Sequence, residues 1–157
     1  MKTILDDLIA NLKRTKPETV YARSVSTQAL DEAANANRDQ LEKGTLSNSA
    51  RINTYAAGTV ARNEDRVTKV TTSDVIKFKD TGKFHQSIKA NITRNGDLKL
   101  TSSSIKASFA QQYVDAVNPT KDGTVLGLTP ENLKSWYKLF VDAEFKKALF
   151  NRIRYGQ

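Results

Sequence analysis

His85 is the one histidine in a chain of 157 residues that contains no cysteine, and these two counts bound the available chemistry more tightly than any motif does. Without cysteine there is no disulfide, no thiolate metal site and no cysteine nucleophile. Zinc sites draw mainly on Cys and His, so a lone imidazole does not make a transition-metal centre, and any Ser-His pairing has a single candidate base. The triplet Ser102-Ser103-Ser104 invites a nucleophile reading, but with no base in sight it is read as a strand end and turn. Asp115, Asp122 and Glu131 are carboxylates of the kind that hold hard cations, yet their spacing fits no calcium-binding loop. No glycine-rich loop precedes a helix, so nucleotide binding has no motif to rest on. A hydrolase or nuclease would need paired carboxylates in a pocket, and Asp80 is already accounted for by a turn. The reading is therefore not an enzyme, with no catalytic residue, no metal ligand and no cofactor.

The elements that position these residues are organised around Lys79 to Ile88. Asp80 can bond the backbone two residues on and Gly82 can take positive φ, so Asp80-Thr81-Gly82 redirects the chain into a strand. Phe84, Gln86, Ile88, Ala90 and Ile92 then share one face at period two, and Lys83, His85, Ser87, Lys89 and Asn91 share the other. On that polar face His85 is expected to be solvated. A two-residue Asn95-Gly96 turn would set Ile92 against Lys99. A three-residue loop of Arg94, Asn95 and Gly96, with Gly96 left-handed in a bulge, instead pairs Ile92 with Leu98 and Ala90 with Leu100, so both strands bury one face.

Upstream, Ile4, Leu5, Leu8, Ile9 and Leu12 repeat at helical spacing behind Thr3, an N-cap residue. This amphipathic helix either packs on its own domain or docks on another subunit. Pro17 opens a longer helix carried to about Lys43, with Gly44 as its stop. Its Ala22, Val25, Ala29, Ala33 and Ala36 form a stripe of small residues, either internal packing or a seam between subunits. The subunit-interface candidates are thus Ile4, Leu8, Leu12, Ala22, Val25, Ala29 and Ala33. Thr45 to Asp74 is rich in Ser, Thr, Asn and Arg and cannot hold a core of its own, with Val67 to Thr72 as a candidate edge strand. Phe109, Ala110, Tyr113, Val114 and Val117 mark a helix ended by Asn118-Pro119. Thr129, Pro130 and Glu131 then start a C-terminal helix whose Leu133, Trp136, Tyr137, Phe140, Val141, Ala148, Leu149 and Ile153 cover the hairpin.

The fold class expected is α+β: long N-terminal helices, a small antiparallel sheet with a hairpin, and a covering C-terminal helix. Residues 1–46 form an N-terminal helical region that serves as a docking arm, and 47–157 the α+β core, with 80–153 self-contained. No run approaches the roughly 18 apolar residues of a membrane span, and Met1 to Lys16 lacks the pattern of an export signal. The formal charge of +8 is uneven. Residues 1–46 carry seven basic and seven acidic side chains, whereas 47–107 carry eleven and five. That middle excess is either a solvated face meeting an acidic neighbour or a nucleic-acid footprint, the second giving the alternative function of a basic nucleic-acid-binding protein. Dispersed basic residues without interleaved aromatics favour the first.

The segment Asp80, Thr81, Gly82, Phe84, Ser87 and Ile88 resembles the Thr-Gly-x-Leu-x-x-Ser-Ile signature of bacteriophage head-tail connector and tail-completion proteins. The likeness takes in Gln40 to Gly44, Ser47 to Ser49, Ile52, Tyr55, Thr59, Asp65 to Thr68, Thr101, Ile105-Lys106 and Leu126 to Leu133, a pattern similar to small structural proteins of phages and prophages of Bacteroides-type hosts. It covers roughly 38 to 153. The resemblance implies a structural virion protein of the neck or tail, assembled in the host bacterial cytoplasm. It implies a homo-oligomeric ring joining the portal to the tail around the DNA channel, with the portal and adjacent ring proteins as partners, non-specific contact with DNA and no membrane.

Overall fold

The computed structural model describes residues 3–117 and 123–156, and its architecture is α+β, with helices around one antiparallel hairpin. The first helix, α1 (Ile4–Arg14), starts in a capping box: Thr3 Oγ1 accepts from the Asp6 amide at 3.2 Å and Asp6 Oδ2 accepts from the Thr3 amide at 2.8 Å. The helix expected from Pro17 to Lys43 is instead two, α2 (Pro17–Ser24) and α3 (Thr27–Glu42). Ser26 leaves the helical path and its Oγ accepts from the Ala29 amide at 3.1 Å, so a fresh N-cap replaces helix continuation after β-branched Val25. The break lets α2 lie on the C-terminal helix while α3 lies on the hairpin.

Beyond Gly44 the chain runs through a single helical turn, α4 (Ala57–Val60), and a 3-10 turn at Asn63–Asp65. The edge strand expected over Val67 to Thr72 does not form. Asn63 takes both backbone groups of Val70, its Oδ1 accepting from Val70 N at 2.9 Å and its Nδ2 donating to Val70 O at 2.7 Å, which is the pairing a neighbouring strand would have supplied. Leu46, Ile52, Tyr55, Val70 and Ile76 are buried, so this polar stretch contributes anchors to the main core.

A one-turn helix, α5 (Lys83–Gln86), precedes β1 (Ile88–Ile92), which pairs antiparallel with β2 (Leu98–Ser102). The register sets Ile92 opposite Leu98 and Ala90 opposite Leu100, and Gly96 sits at φ +87, as the loop argument requires. The strand therefore starts later than expected: Phe84 and Gln86 belong to a helical turn. Then come α6 (Lys106–Val117), α7 (Pro130–Phe140) and α8 (Asp142–Tyr155). The Asn118-Pro119 stop and Asp122 lie outside the described residues. Thr129 caps α7, its Oγ1 accepting from Asn132 N at 3.2 Å. One continuous C-terminal helix was expected, but it is broken at Val141, at φ −125 and ψ −45, which turns inward and is almost wholly buried.

Two apolar clusters share α3. One gathers Ala34, Leu41, Leu46, Ile52, Phe84, Ile88, Val114 and Val125; the other packs Ala29 and Ala33 against Trp136 and Val141, with Ile92 and Leu98 of the hairpin alongside. Small residues on α3 are what allow the Trp136 ring to approach, and its Nε1–H donates to the Ala29 carbonyl. The boundary expected at 46/47 thus separates α3 from a core it helps to form, and 80–153 is not self-contained. Ala29 and Ala33, expected as candidates for a subunit seam, are covered by this chain's own Trp136 and Val141.

Candidate functional site

The Asp80 to Ile88 segment is a built turn. Asp80 does not bond two residues ahead; its Oδ1 accepts from the amides of Val67 at 3.1 Å and Thr68 at 3.4 Å, and Thr68 Oγ1 donates to the Asp80 carbonyl at 2.9 Å. This ties the polar stretch to the turn. Gly82, at φ +77, swings the chain into α5. Phe84 and Ile88 point into the core, Ser87 Oγ donates back to the Phe84 carbonyl at 2.7 Å, and Thr81 is exposed. Arg38, from the half-buried side of α3, clamps the far end: its Nε donates to the His85 carbonyl at 2.8 Å and its Nη2 to the Ile88 carbonyl at 2.7 Å.

His85, expected on a solvated face, is buried. One turn of helix instead of strand sends it inward beside Phe84. Nε2 lies 2.7 Å from the Lys77 carbonyl, which only accepts, so Nε2 carries the proton and Nδ1 faces Glu42 at 3.8 Å. Burial holds the imidazole below its usual value; the Lys77 carbonyl and the Glu42 carboxylate pull the other way, while Lys79 and Arg38 add to the lowering. Neither ring nitrogen meets a serine hydroxyl. Among the described residues no group of three or more His, Cys, Asp or Glu side chains is placed to hold a metal ion, and no helix is long and apolar enough to cross a membrane.

What the turn does frame is a groove. Between Asp80, the polar stretch and α6 lies a hollow of about 320 Å³ walled by Tyr55, Phe78, Phe109 and Tyr113, with Arg66, Lys79 and Lys106 around it. Phe78 and Tyr113 meet edge to face at 6.2 Å, and the Arg66 guanidinium sits 5.3 Å from the centre of the Tyr55 ring. Phe109, one of the apolar residues that mark α6, is more than half exposed, and so is Ile105. These aromatics come from positions 55 to 113, and only folding brings them together.

The second exposed apolar surface is α1. None of its residues is buried; Ile4 is 83%, Leu5 64% and Leu12 58% exposed, while Leu8 is half-buried. The helix rests on α8, where Asn11 Nδ2 donates to the Ile153 carbonyl at 3.1 Å. Ala22 and Val25 are half-buried, and Val25 packs against the cluster of Ala29, Ala33, Trp136 and Val141. Sequence reasoning missed Asn37 and Gln40. Asn37 Nδ2 donates to the Val125 and Gly127 carbonyls at 3.1 and 2.8 Å, and Gln40 bonds Gly127 O and Thr129 N at 2.9 and 2.8 Å. The signal was present: Asn37 and Gln40 continue the Ala29, Ala33 face at helical spacing.

Comparison with protein families, with curated proteins and with solved structures finds no match to the chain.

Proposed function

We propose that this chain is a structural protein of a bacteriophage virion, a ring subunit of the neck or tail that joins the portal to the tail around the DNA path, and that it catalyses nothing. The observation that carries the reading is the exposed apolar face of α1, where Ile4, Leu5 and Leu12 stand in water although the helix is tied to α8 through Asn11. A second copy supplies the other half of the contact. The aromatic groove beneath the Asp80 turn accepts apolar side chains, and Arg66 and Lys106 at its rim suit the acidic first turn of α1. Such a head-to-tail contact uses two different surfaces on each copy, the arrangement that closes into rings. The likeness of Asp80 to Ile88 to the connector signature points the same way.

The test is light scattering and sedimentation of the purified chain against Leu5→Lys/Leu12→Lys. The native chain is expected to form a closed oligomer of fixed size whose share of the chains rises with concentration, and the variant to stay monomeric with unchanged circular dichroism. A native chain that is monomeric at every concentration, alone and with portal, refutes the reading.

A further inference from the structure

The end of α1, the length of α2 with Lys16 before it, and the C-terminal half of α8 enclose a cleft of about 380 Å³ whose lining carries Arg14, Lys16, Arg23 and Arg152. Thr19, Val20, Ser24 and Ala148 complete the lining, and no carboxylate is part of it. Among the described residues none of the four cations forms an ion pair, and Arg152 alone spends a donor within the chain, its Nη1 donating to the Gly156 carbonyl at 3.0 Å. Composition hid this cluster, because residues 1–46 balance seven basic against seven acidic side chains. Folding separates the signs. Asp6 is spent on the cap of α1, Glu42 pairs with Lys79, Asp142 pairs with Lys146, and Glu18 lies against Gly96 at the hairpin tip.

Three arginines and a lysine lining one concavity with no carboxylate make it electropositive, and an anion held there is stabilised by all four charges. Guanidinium presents a planar fork of donors that matches phosphoryl oxygens two at a time, and lysine adds a compact charge. A hydroxyl at Thr19 is a further donor at the same wall. The volume is that of a small-ligand site and takes a phosphate with its attached sugar. We propose that this cleft binds a phosphoryl group, borne either by a polynucleotide backbone or by a small phosphate ester. The site is built from α1, α2 and α8, so it stands independently of the groove by Asp80 and of the middle basic stretch.

The experiment compares the native chain with Arg14→Glu/Arg23→Glu, both exposed, and with Lys89→Glu/Lys99→Glu on the open face of the hairpin, which changes net charge equally. Pyrophosphate is titrated by calorimetry, and a labelled single-stranded oligonucleotide by fluorescence anisotropy at two salt concentrations. The cleft variant is expected to weaken binding about thirtyfold or more, from the loss of charge-assisted hydrogen bonds, while the hairpin variant stays within about threefold. For the oligonucleotide the salt slope falls by about 1.4 in the cleft variant alone. Binding of pyrophosphate without the oligonucleotide identifies a small phosphate ester, and the reverse identifies a polymer backbone. Equal loss in both variants, or no saturable binding of either probe by the native chain, overturns the proposal.

Discussion

Replacing Gly44 with alanine is expected to be far more damaging than the same change at Gly82, although both glycines have positive φ, +66 and +77. The left-handed conformation costs an alanine about 1 kcal/mol at either position. The surroundings differ. A Cβ at Gly82 would meet nothing nearer than Gln86 Nε2 at 3.8 Å, whereas one at Gly44 would stand 2.7 Å from Val75 Cγ2 and 2.8 Å from Val75 Cβ. Val75 cannot retreat freely, because its segment is bridged to Thr54 and the neighbouring Ile76 is buried. Overpacking of this kind adds about 1–3 kcal/mol. The totals are about 2–4 kcal/mol for Gly44→Ala and about 1 kcal/mol for Gly82→Ala. Urea unfolding of both variants measures the difference directly, provided the slopes agree. A double-mutant cycle with Val75→Gly, which removes both clashing atoms, should return most of the excess as a coupling energy of about 1–3 kcal/mol. Equal losses at the two glycines, or no coupling to Val75, would refute the argument.

Stability should fall as pH drops below about 6.5, because the unfolded chain binds a proton at His85 there while burial keeps the folded imidazole neutral. The loss ends once the pH passes below the lowered folded value, and its slope is at most about 1.4 kcal/mol per pH unit. His85→Gln, which keeps a donor for the Lys77 carbonyl, should flatten the curve between pH 6.5 and 5.5; an unchanged slope by thermal denaturation speaks against a buried neutral imidazole. Asn37→Asp removes the donor shared by the Val125 and Gly127 carbonyls and sets a buried carboxylate against them. Its expected cost is about 3 kcal/mol or more at pH 7, partly recovered in mild acid where the carboxyl regains a proton, and chemical denaturation at the two pH values measures both.

The hairpin register was legible because the apolar spacing on both strands and the glycine at Gly96 are local facts that agree. So was the start of α7, where Thr129 and Pro130 occupy positions only a helix start favours. The breaks at Val25-Ser26 and at Val141 were not legible, since both sequences also permit helix; what decides them is the lie of α2 on α8 and the burial of Val141 against Ala29 and Ala33. Phe84 and Ile88 fit period two and an i, i+4 helical pair equally well, and that ambiguity misplaced His85. The aromatic groove and the basic cleft each gather side chains from distant positions, and neither has a local pattern.

Helix α3 is the common wall of both apolar clusters, and this has a kinetic consequence. Its contacts reach far along the chain: Arg38 to the Ile88 carbonyl closes 50 residues and Trp136 to the Ala29 carbonyl closes 107. Neither cluster repays the entropy of its loop until α3 is in place, so the two should form together or not at all. Folding is then a single cooperative event gated by one helix, slower than its helical content would suggest. A chain cut before residue 47 would lack the helix that both clusters pack against and should collapse without a fixed structure.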